Sequence, residues 1–122
     1  METEELELYF ALSLTPNVGA ITAKNIIAYC GGIEQVFSKS KKELLKIPGV
    51  GPAFVANFNP EESILKAKQE VALFQKHNVH ILTYHDKAYP KRLLHQDDAP
   101  IILFYKGEFD LNYYRTVGIV GT

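Results

Sequence analysis

The chain has 122 residues and a formal net charge of −1, with 47% hydrophobic and 22% charged residues. This length suits one domain, or a small domain with part of another, and the composition excludes a disordered chain. The single cysteine, Cys30, excludes an internal disulfide framework and favours a reducing compartment. The acidic N-terminus does not match a secretory signal, and no apolar run approaches the ~20 residues of a membrane helix. We therefore expect a cytoplasmic protein with no membrane partner.

The first helical segments are indicated by apolar residues at helical spacing. They recur from Leu6 to Leu14, and again from Ala20 to Tyr29 after a break at residues 16–19. The glycines at 31–32 predict a glycine C-cap for the second helix. A short apolar piece follows at residues 33–37.

Local signals also mark three later helices. Ser40 and Glu43 predict a capping box at the start of a helix over 41–47. Pro52 stands where a proline opens a new helix, and an apolar stripe predicts a further helix from Glu61 to about His77.

At residue 78 the pattern changes to that of β-strands. "NVHILTY" predicts a first strand, and "PIILFYKG" (Pro100 to Gly107) predicts a second that is buried on both faces. "TVGIVGT" predicts a third strand ending in glycine, and the intervening residues allow a short helix at most. These runs have too little helix to cover a buried sheet, so we expect the chain to be a fragment of a longer protein.

A weak internal repeat relates the two glycine turns of the helical region. Asn17-Val18-Gly19-Ala20 can be laid over Gly49-Val50-Gly51-Pro52, and each turn lies between two helices. This is the pattern of a tandem helix-hairpin-helix. The first turn position favours glycine or asparagine, and the N–H groups of the second helix can bind a phosphate.

The same turns are also explained as packing corners between helices. Ala53 and Phe54 occupy places where a basic residue commonly meets the phosphate, and residues 52–59 contain no base. Charge does not decide between a phosphate site and a packing corner. Residues 38–92 carry a net charge of +5, which fits an anion-binding face but is also common on lysine-rich helix surfaces. The candidate nucleic-acid contacts in this region are Lys24, Lys46, Gly49 and Gly51.

Other side chains give weaker signals. The four histidines match no closed zinc pattern and no nucleophile elbow is present, so we expect neither a metal nor a hydrolase triad. The basic and tyrosine-containing segment at residues 76–93 could stack bases or form a solvated rim. "TVGIVGT" is similar to the opening of a dinucleotide-fold phosphate loop.

The C-terminal segments together resemble a known family. "YPKRLLHQDDAPIILFYKGE" (Tyr89 to Glu108) followed by "RTVGIVGT" (Arg115 to Thr122) resembles the DNA-processing protein family DprA, also called Smf. The family pattern has a Tyr-Pro-x-x-Leu segment, a Pro-x-x-Leu-Phe-x-Lys-Gly strand, and an Arg-x-x-x-(Ile/Val)-Val-Gly-(Ser/Thr)-Arg strand and loop. The matching positions are Tyr89, Pro90, Leu93, Pro100, Leu103, Phe104, Lys106, Gly107, Arg115, Ile119, Val120, Gly121 and Thr122.

The resemblance implies a fold and a function. Residues 1–77 would form a helical, helix-hairpin-helix-like domain, and residues 78–122 the first strands of an incomplete Rossmann-like domain. The family's function would be to bind single-stranded DNA and deliver it to RecA recombinase in natural transformation, without catalysis or a cofactor. Arg115, Gly121 and Thr122 would lie at the edge of its DNA pocket, and a homodimer would form through the part of the core after Thr122.

Two alternatives stay open beside this interpretation. The chain could be a fragment of a nucleotide-cofactor enzyme, whose phosphate loop would begin at "VGIVGT". It could also be a helical module that contacts a partner protein and binds no DNA.

Overall fold

The structure, a computed structural model, describes residues 2–121. Within that range the chain forms helices and two strands, which in chain order are α1 (Thr3–Ser13), α2 (Ala20–Cys30), α3 (Ile33–Ser38), α4 (Lys41–Leu44), α5 (Pro52–Asn57), α6 (Pro60–Lys76), β1 (Val79–Thr83), α7 (Lys91–Leu94) and β2 (Ile102–Lys106).

Glycine ends α2 as its sequence predicts. Gly31 has a φ of +92°, and its N–H donates to the carbonyl of Ile27 at 3.0 Å. The left-handed conformation costs glycine no steric energy, so the helix ends there and α3 begins two residues later. The apolar piece at 33–37 is thus a helix of its own, with Ile33 and Val36 buried.

The capping box at the start of α4 is confirmed. The hydroxyl of Ser40 accepts from the Glu43 N–H at 3.2 Å, and the Glu43 carboxylate accepts from the Ser40 N–H at 3.1 Å. The helix itself ends at Leu44, three residues before the predicted end. The N–H groups of Lys46 and Ile47 bond to carbonyls three residues back, which tightens the last turn out of α-helical geometry.

The two strands form an antiparallel pair, with Val79 opposite Lys106 and Thr83 opposite Ile102. Their ends are linked through the loop that contains α7. Tyr84 continues the ladder by donating its N–H to the carbonyl of Ile101 at 3.1 Å.

One hydrophobic core joins the helices to this strand pair. Phe104 of β2 lies 5.4 Å from Phe10 of α1 and 5.0 Å from Phe74 of α6, measured between ring centroids. Ile101 and Ile102 belong to the same cluster of buried side chains as Leu12 and other residues of the helices. The strand pair therefore lies on α1 and α6, and the division at residue 77 stays a prediction.

Two strand predictions are wrong within the described residues. Residues 115–121 form no strand, and Val117, Ile119 and Val120 are 86% to 99% exposed. A strand needs a partner for its backbone, and residues 115–121 pair with neither β1 nor β2. β2 is also not buried on both faces, because Phe104 is 40% exposed and Lys106 lies at the surface.

The coarse fold is α+β, helical with a small sheet. Within the described residues, 2–121, the strand pair β1–β2 is antiparallel. A Rossmann-like sheet is built on parallel strands. The Rossmann-like and helix-hairpin-helix assignments remain predictions.

Candidate nucleic-acid interface

The two repeated turns have the same backbone geometry. Asn17 and Gly49 both have positive φ angles, +65° and +87°. Two residues later, Gly19 and Gly51 are the N-caps of α2 and α5, with φ near −92° and −96°. The similarity in sequence therefore corresponds to one repeated turn.

The valine at the centre of each turn faces the protein. Val18 and Val50 are partly buried and pack against the hydrophobic core. Pro52 begins α5, so the first N–H of that six-residue helix is absent. This arrangement is that of a packing corner, and the second turn has one N–H donor fewer with which to bind a phosphate.

Lys24 is engaged in a contact with the C-terminal half. Its ammonium group donates to the backbone carbonyl of Asp97 at 3.1 Å and lies 5.7 Å from the ring centroid of Tyr84. The contact spans 73 positions of sequence and ties α2 to the loop after α7. A phosphate would have to compete with both interactions for this lysine.

Lys46 lies in a shallow groove beside α2 and α4. The groove is also lined by Cys30, Lys39 and Glu43, and Lys39 and Glu43 form an ion pair at 3.8 Å. Burial raises the pKa of the Cys30 thiol, so the thiol stays protonated at neutral pH. The groove combines two lysines with one carboxylate, which gives it a small positive charge.

The Tyr-Pro-x-x-Leu segment has a structural role. The Tyr89 ring is 1% exposed, and its hydroxyl donates to the Pro100 carbonyl at 2.7 Å. Burial raises the pKa of this phenol. Tyr89 therefore fastens the residues before α7 to the start of the second strand.

Asn112 clamps the next loop onto the same segment. Its side-chain oxygen accepts from the Lys91 N–H at 2.7 Å, and its amide group donates to the Tyr89 carbonyl at 3.1 Å. The guanidinium of Arg92 donates to the Tyr114 carbonyl at 2.7 Å. Three contacts thus fix residues 112–114 against α7.

The clamped loop presents aromatic and basic side chains together. The rings of Tyr113 and Tyr114 lie 4.9 Å apart, and the Arg115 guanidinium lies 5.3 Å from the Tyr114 ring centroid. Tyr113 is 53% and Tyr114 66% exposed. We call Arg92, Tyr113, Tyr114 and Arg115 the arginine–tyrosine surface.

The structure distributes the predicted site residues over separate places. Lys24 lies against Tyr84, Lys46 lies in its own groove, and Gly49 and Gly51 form the second turn. Arg115 belongs to the arginine–tyrosine surface, and Gly121 is exposed beyond it in the chain. Thr122 lies outside the described residues.

Sequence reasoning missed Tyr113 and Tyr114 as candidate site residues, and it included Arg92 only as part of the basic segment at residues 76–93. A usable signal was present, because "NYYR" places two aromatic rings directly before an arginine. What the sequence could not show is that Asn112 brings this loop to Arg92, more than twenty positions away.

Residues 2–121 also lack a metal cluster and a membrane-spanning helix. This range contains no group of three or more histidine, cysteine, aspartate or glutamate side chains arranged to hold a metal ion. Nor does any helix in it have the length and apolar character needed to cross a bilayer.

A comparison with protein-family models gives a match over the C-terminal third of the chain. Residues 80–122 match the family model described as DNA recombination-mediator protein A. The resemblance seen in the sequence is thereby confirmed over that segment. Searches of curated proteins and of solved structures found no significant match.

Proposed function

We propose that this protein binds single-stranded DNA and delivers it to RecA recombinase, because residues 80–122 match the family model described as DNA recombination-mediator protein A. The family match is the observation that carries the proposal. In this view β1, β2 and the residues up to 121 lead into a Rossmann-like core, and the helices before them form an accessory part. The protein acts as a binding protein, and its partners are those of DNA recombination.

The positions of the cations support DNA contact in the C-terminal part. Arg115 is exposed against the Tyr114 ring, and the exposed Arg92 lines a groove together with Tyr113. Cations next to aromatic rings are the combination that single-strand binding uses. The helical part is less suited to the task, because Lys24 is bonded to Asp97 and residues 52–59 contain no basic side chain. We assign the contacts to Arg115, Gly121 and Thr122, and a structural role to the turn residues Gly49 and Gly51.

The helical part then serves chiefly as a support for the strand pair. Val18 and Val50 pack its turns against the core, and the rings of Phe10 and Phe74 pack against Phe104. This favours a structural or protein-contact role for the hairpins over a phosphate grip.

Titration of labelled single-stranded DNA tests the proposal. Fluorescence anisotropy with an oligonucleotide of about 20 nucleotides should show binding that weakens steeply between about 50 and 200 mM salt. An unlabelled duplex of equal charge should compete poorly, because paired bases cannot stack on protein rings. Absence of binding at the lower salt concentration would refute the DNA part of the proposal.

The recombinase step is tested separately. RecA filament formation on DNA already covered by single-strand-binding protein should begin sooner when this protein is added. The control replaces it with bovine serum albumin at equal mass. DNA binding without any effect on filament formation would leave a DNA-binding protein and refute the delivery step.

A further inference from the structure

We propose that the arginine–tyrosine surface is the place where unpaired bases of a single DNA strand stack on this protein. The inference rests on the proposed function and names the contact surface for it. The bases would lie on Tyr113 and Tyr114, and the adjoining phosphates would meet Arg92 and Arg115.

The two tyrosine rings provide the stacking area. Both are more than half exposed, and their centroids lie 4.9 Å apart at an interplanar angle of 44°. An exposed ring of this size next to a second one is costly to leave in water, and each base has a flat face that covers it. The angle between the rings lets successive bases use different rings.

The arginines provide charge at the same place. Arg115 lies against the Tyr114 ring, and Arg92 uses one N–H of its guanidinium on the Tyr114 carbonyl. A guanidinium has five such donors, so donors remain for a phosphate. Lys91, at the start of α7, adds a third cation to the neighbouring groove with Tyr113.

One carboxylate lies close to these cations. Asp110 lines the groove beside Arg115, and its side chain accepts from the Asn112 N–H at 2.8 Å. The charged residues that line these two grooves are three cations, Lys91, Arg92 and Arg115, and one carboxylate, Asp110, in a chain whose formal net charge is −1. The charge therefore matches a phosphate backbone here better than the average composition suggests.

The surface is held in place before any ligand arrives. Asn112 bonds to Lys91 and Tyr89, and Tyr89 is itself buried and bonded to Pro100. Side chains fixed in this way lose less conformational freedom when a strand binds. Asn112 is thus a positioning residue for the two tyrosines.

The choice of a single strand follows from the rings. A duplex keeps its bases paired inside, so it could use only the arginines. An acidic protein segment could also use only the arginines. Loss of a ring should therefore affect single-strand binding much more than binding of either alternative.

Anisotropy titrations of the full chain test the inference. Tyr114→Ala should raise the Kd for a single strand by roughly 5- to 150-fold, as expected for loss of one base–ring stack. Tyr114→Phe keeps the ring and should bind as the wild type does. The control is Tyr29→Ala on α2, which removes a ring of similar exposure (60%) away from this loop and should not change the Kd.

The salt dependence tests the arginine part. Arg115→Gln should reduce the slope of log K against log salt by about 0.7, the value for one phosphate contact on a single strand. Arg115 makes its ring contact at the surface, so the circular dichroism spectrum should not change. An oligonucleotide with 2-aminopurine should lose fluorescence on binding to the wild type and keep it with Tyr114→Ala.

The outcomes separate the inference from the proposed function. If the wild type binds no single strand, the proposed function fails. If it binds and Tyr114→Ala, Tyr113→Ala and the double variant all bind equally well, the inference alone is overturned. If polyglutamate displaces the DNA from the wild type and Tyr114→Ala does not weaken the DNA complex, the surface is an acidic-peptide site.

Discussion

Alanine at the two glycines of the second turn should have different consequences for stability: a clear loss at Gly49 and almost no change at Gly51. Gly49 has a φ of +87°, where L-residues pay about 1–2 kcal/mol, whereas Gly51 has a φ of −96° that any residue can adopt. A Cβ at either position meets no atom within 4 Å, so steric contact plays no part. Backbone conformation alone therefore decides the difference.

The magnitudes follow from these angles. Gly49→Ala should lower the free energy of unfolding by about 1–2 kcal/mol. Gly51→Ala gains about 0.4–1 kcal/mol from the less flexible unfolded chain, but alanine is a poorer N-cap than glycine by a similar amount. The two effects nearly cancel, so we expect a change within about 0.5 kcal/mol. Gly51→Ser adds a capping hydroxyl that contributes a few tenths of a kcal/mol and also makes the unfolded chain less flexible, so it should stabilise by about 0.5–1 kcal/mol in total.

Urea unfolding followed by circular dichroism at 222 nm is the suitable assay, because the chain contains no tryptophan. The urea midpoint should be highest for Gly51→Ser, nearly equal for the wild type and Gly51→Ala, and lowest for Gly49→Ala. The slope of free energy against urea concentration should be the same for all four proteins. In a thermal scan Gly49→Ala should lower the Tm by roughly 3–10 °C. If Gly49→Ala costs no more than Gly51→Ala, the left-handed turn is not what determines stability here.

Three further predictions concern single side chains. Ser40→Ala should cost about 1 kcal/mol at neutral pH in a thermal scan, and less in acid. The reason is that hydrogen bonds from Ser40 hold the pKa of Glu43 below its ordinary value, so the stability that the carboxylate contributes is lost as pH falls through that lowered pKa. Tyr89→Phe should cost about 1 kcal/mol in urea unfolding, because the Pro100 carbonyl loses its donor. Burial raises the pKa of Tyr9 from 10.0 to about 12. The stability that its protonated hydroxyl contributes is therefore complete below pH 10 and is lost as the pH rises towards 12. Tyr9→Phe should flatten this alkaline fall in stability.

Each of these has a clear contrary result. An equal penalty for Ser40→Ala at neutral and acidic pH would show that the carboxylate takes no part in the cap. An unchanged midpoint for Tyr89→Phe would mean that water replaces the hydroxyl. An alkaline stability curve identical in wild type and Tyr9→Phe would contradict the raised pKa.

Local signals in the sequence were sufficient for most helix boundaries. Three of these signals lie where the sequence predicts them: the capping box at Ser40, Pro52 at the start of α5 and Gly31 at the end of α2. Each acts on backbone groups only a few residues away. Asn17 and Gly49 likewise take the left-handed conformation that their residue types allow. These features depend on neighbours in sequence.

Features that depend on distant partners were harder to predict. "TVGIVGT" has the composition of a strand, but a strand forms only beside another, and residues 115–121 have none in the described structure. The antiparallel pairing of β1 with β2 also had no local signal. For the candidate site, Arg115 was identified from the family pattern, whereas Arg92 joins it through a bond to Tyr114 that no spacing rule predicts.

The three phenylalanines where the strand pair meets the helices have a consequence for how the protein unfolds. Because Phe104 packs on Phe10 and Phe74, separating the strands from α1 and α6 would remove the contacts of all three rings at once and increase their exposure. Helices and strands should therefore melt in a single transition and share their slowest-exchanging amides. A truncation after residue 77 would leave two of these rings facing solvent, where they would promote aggregation.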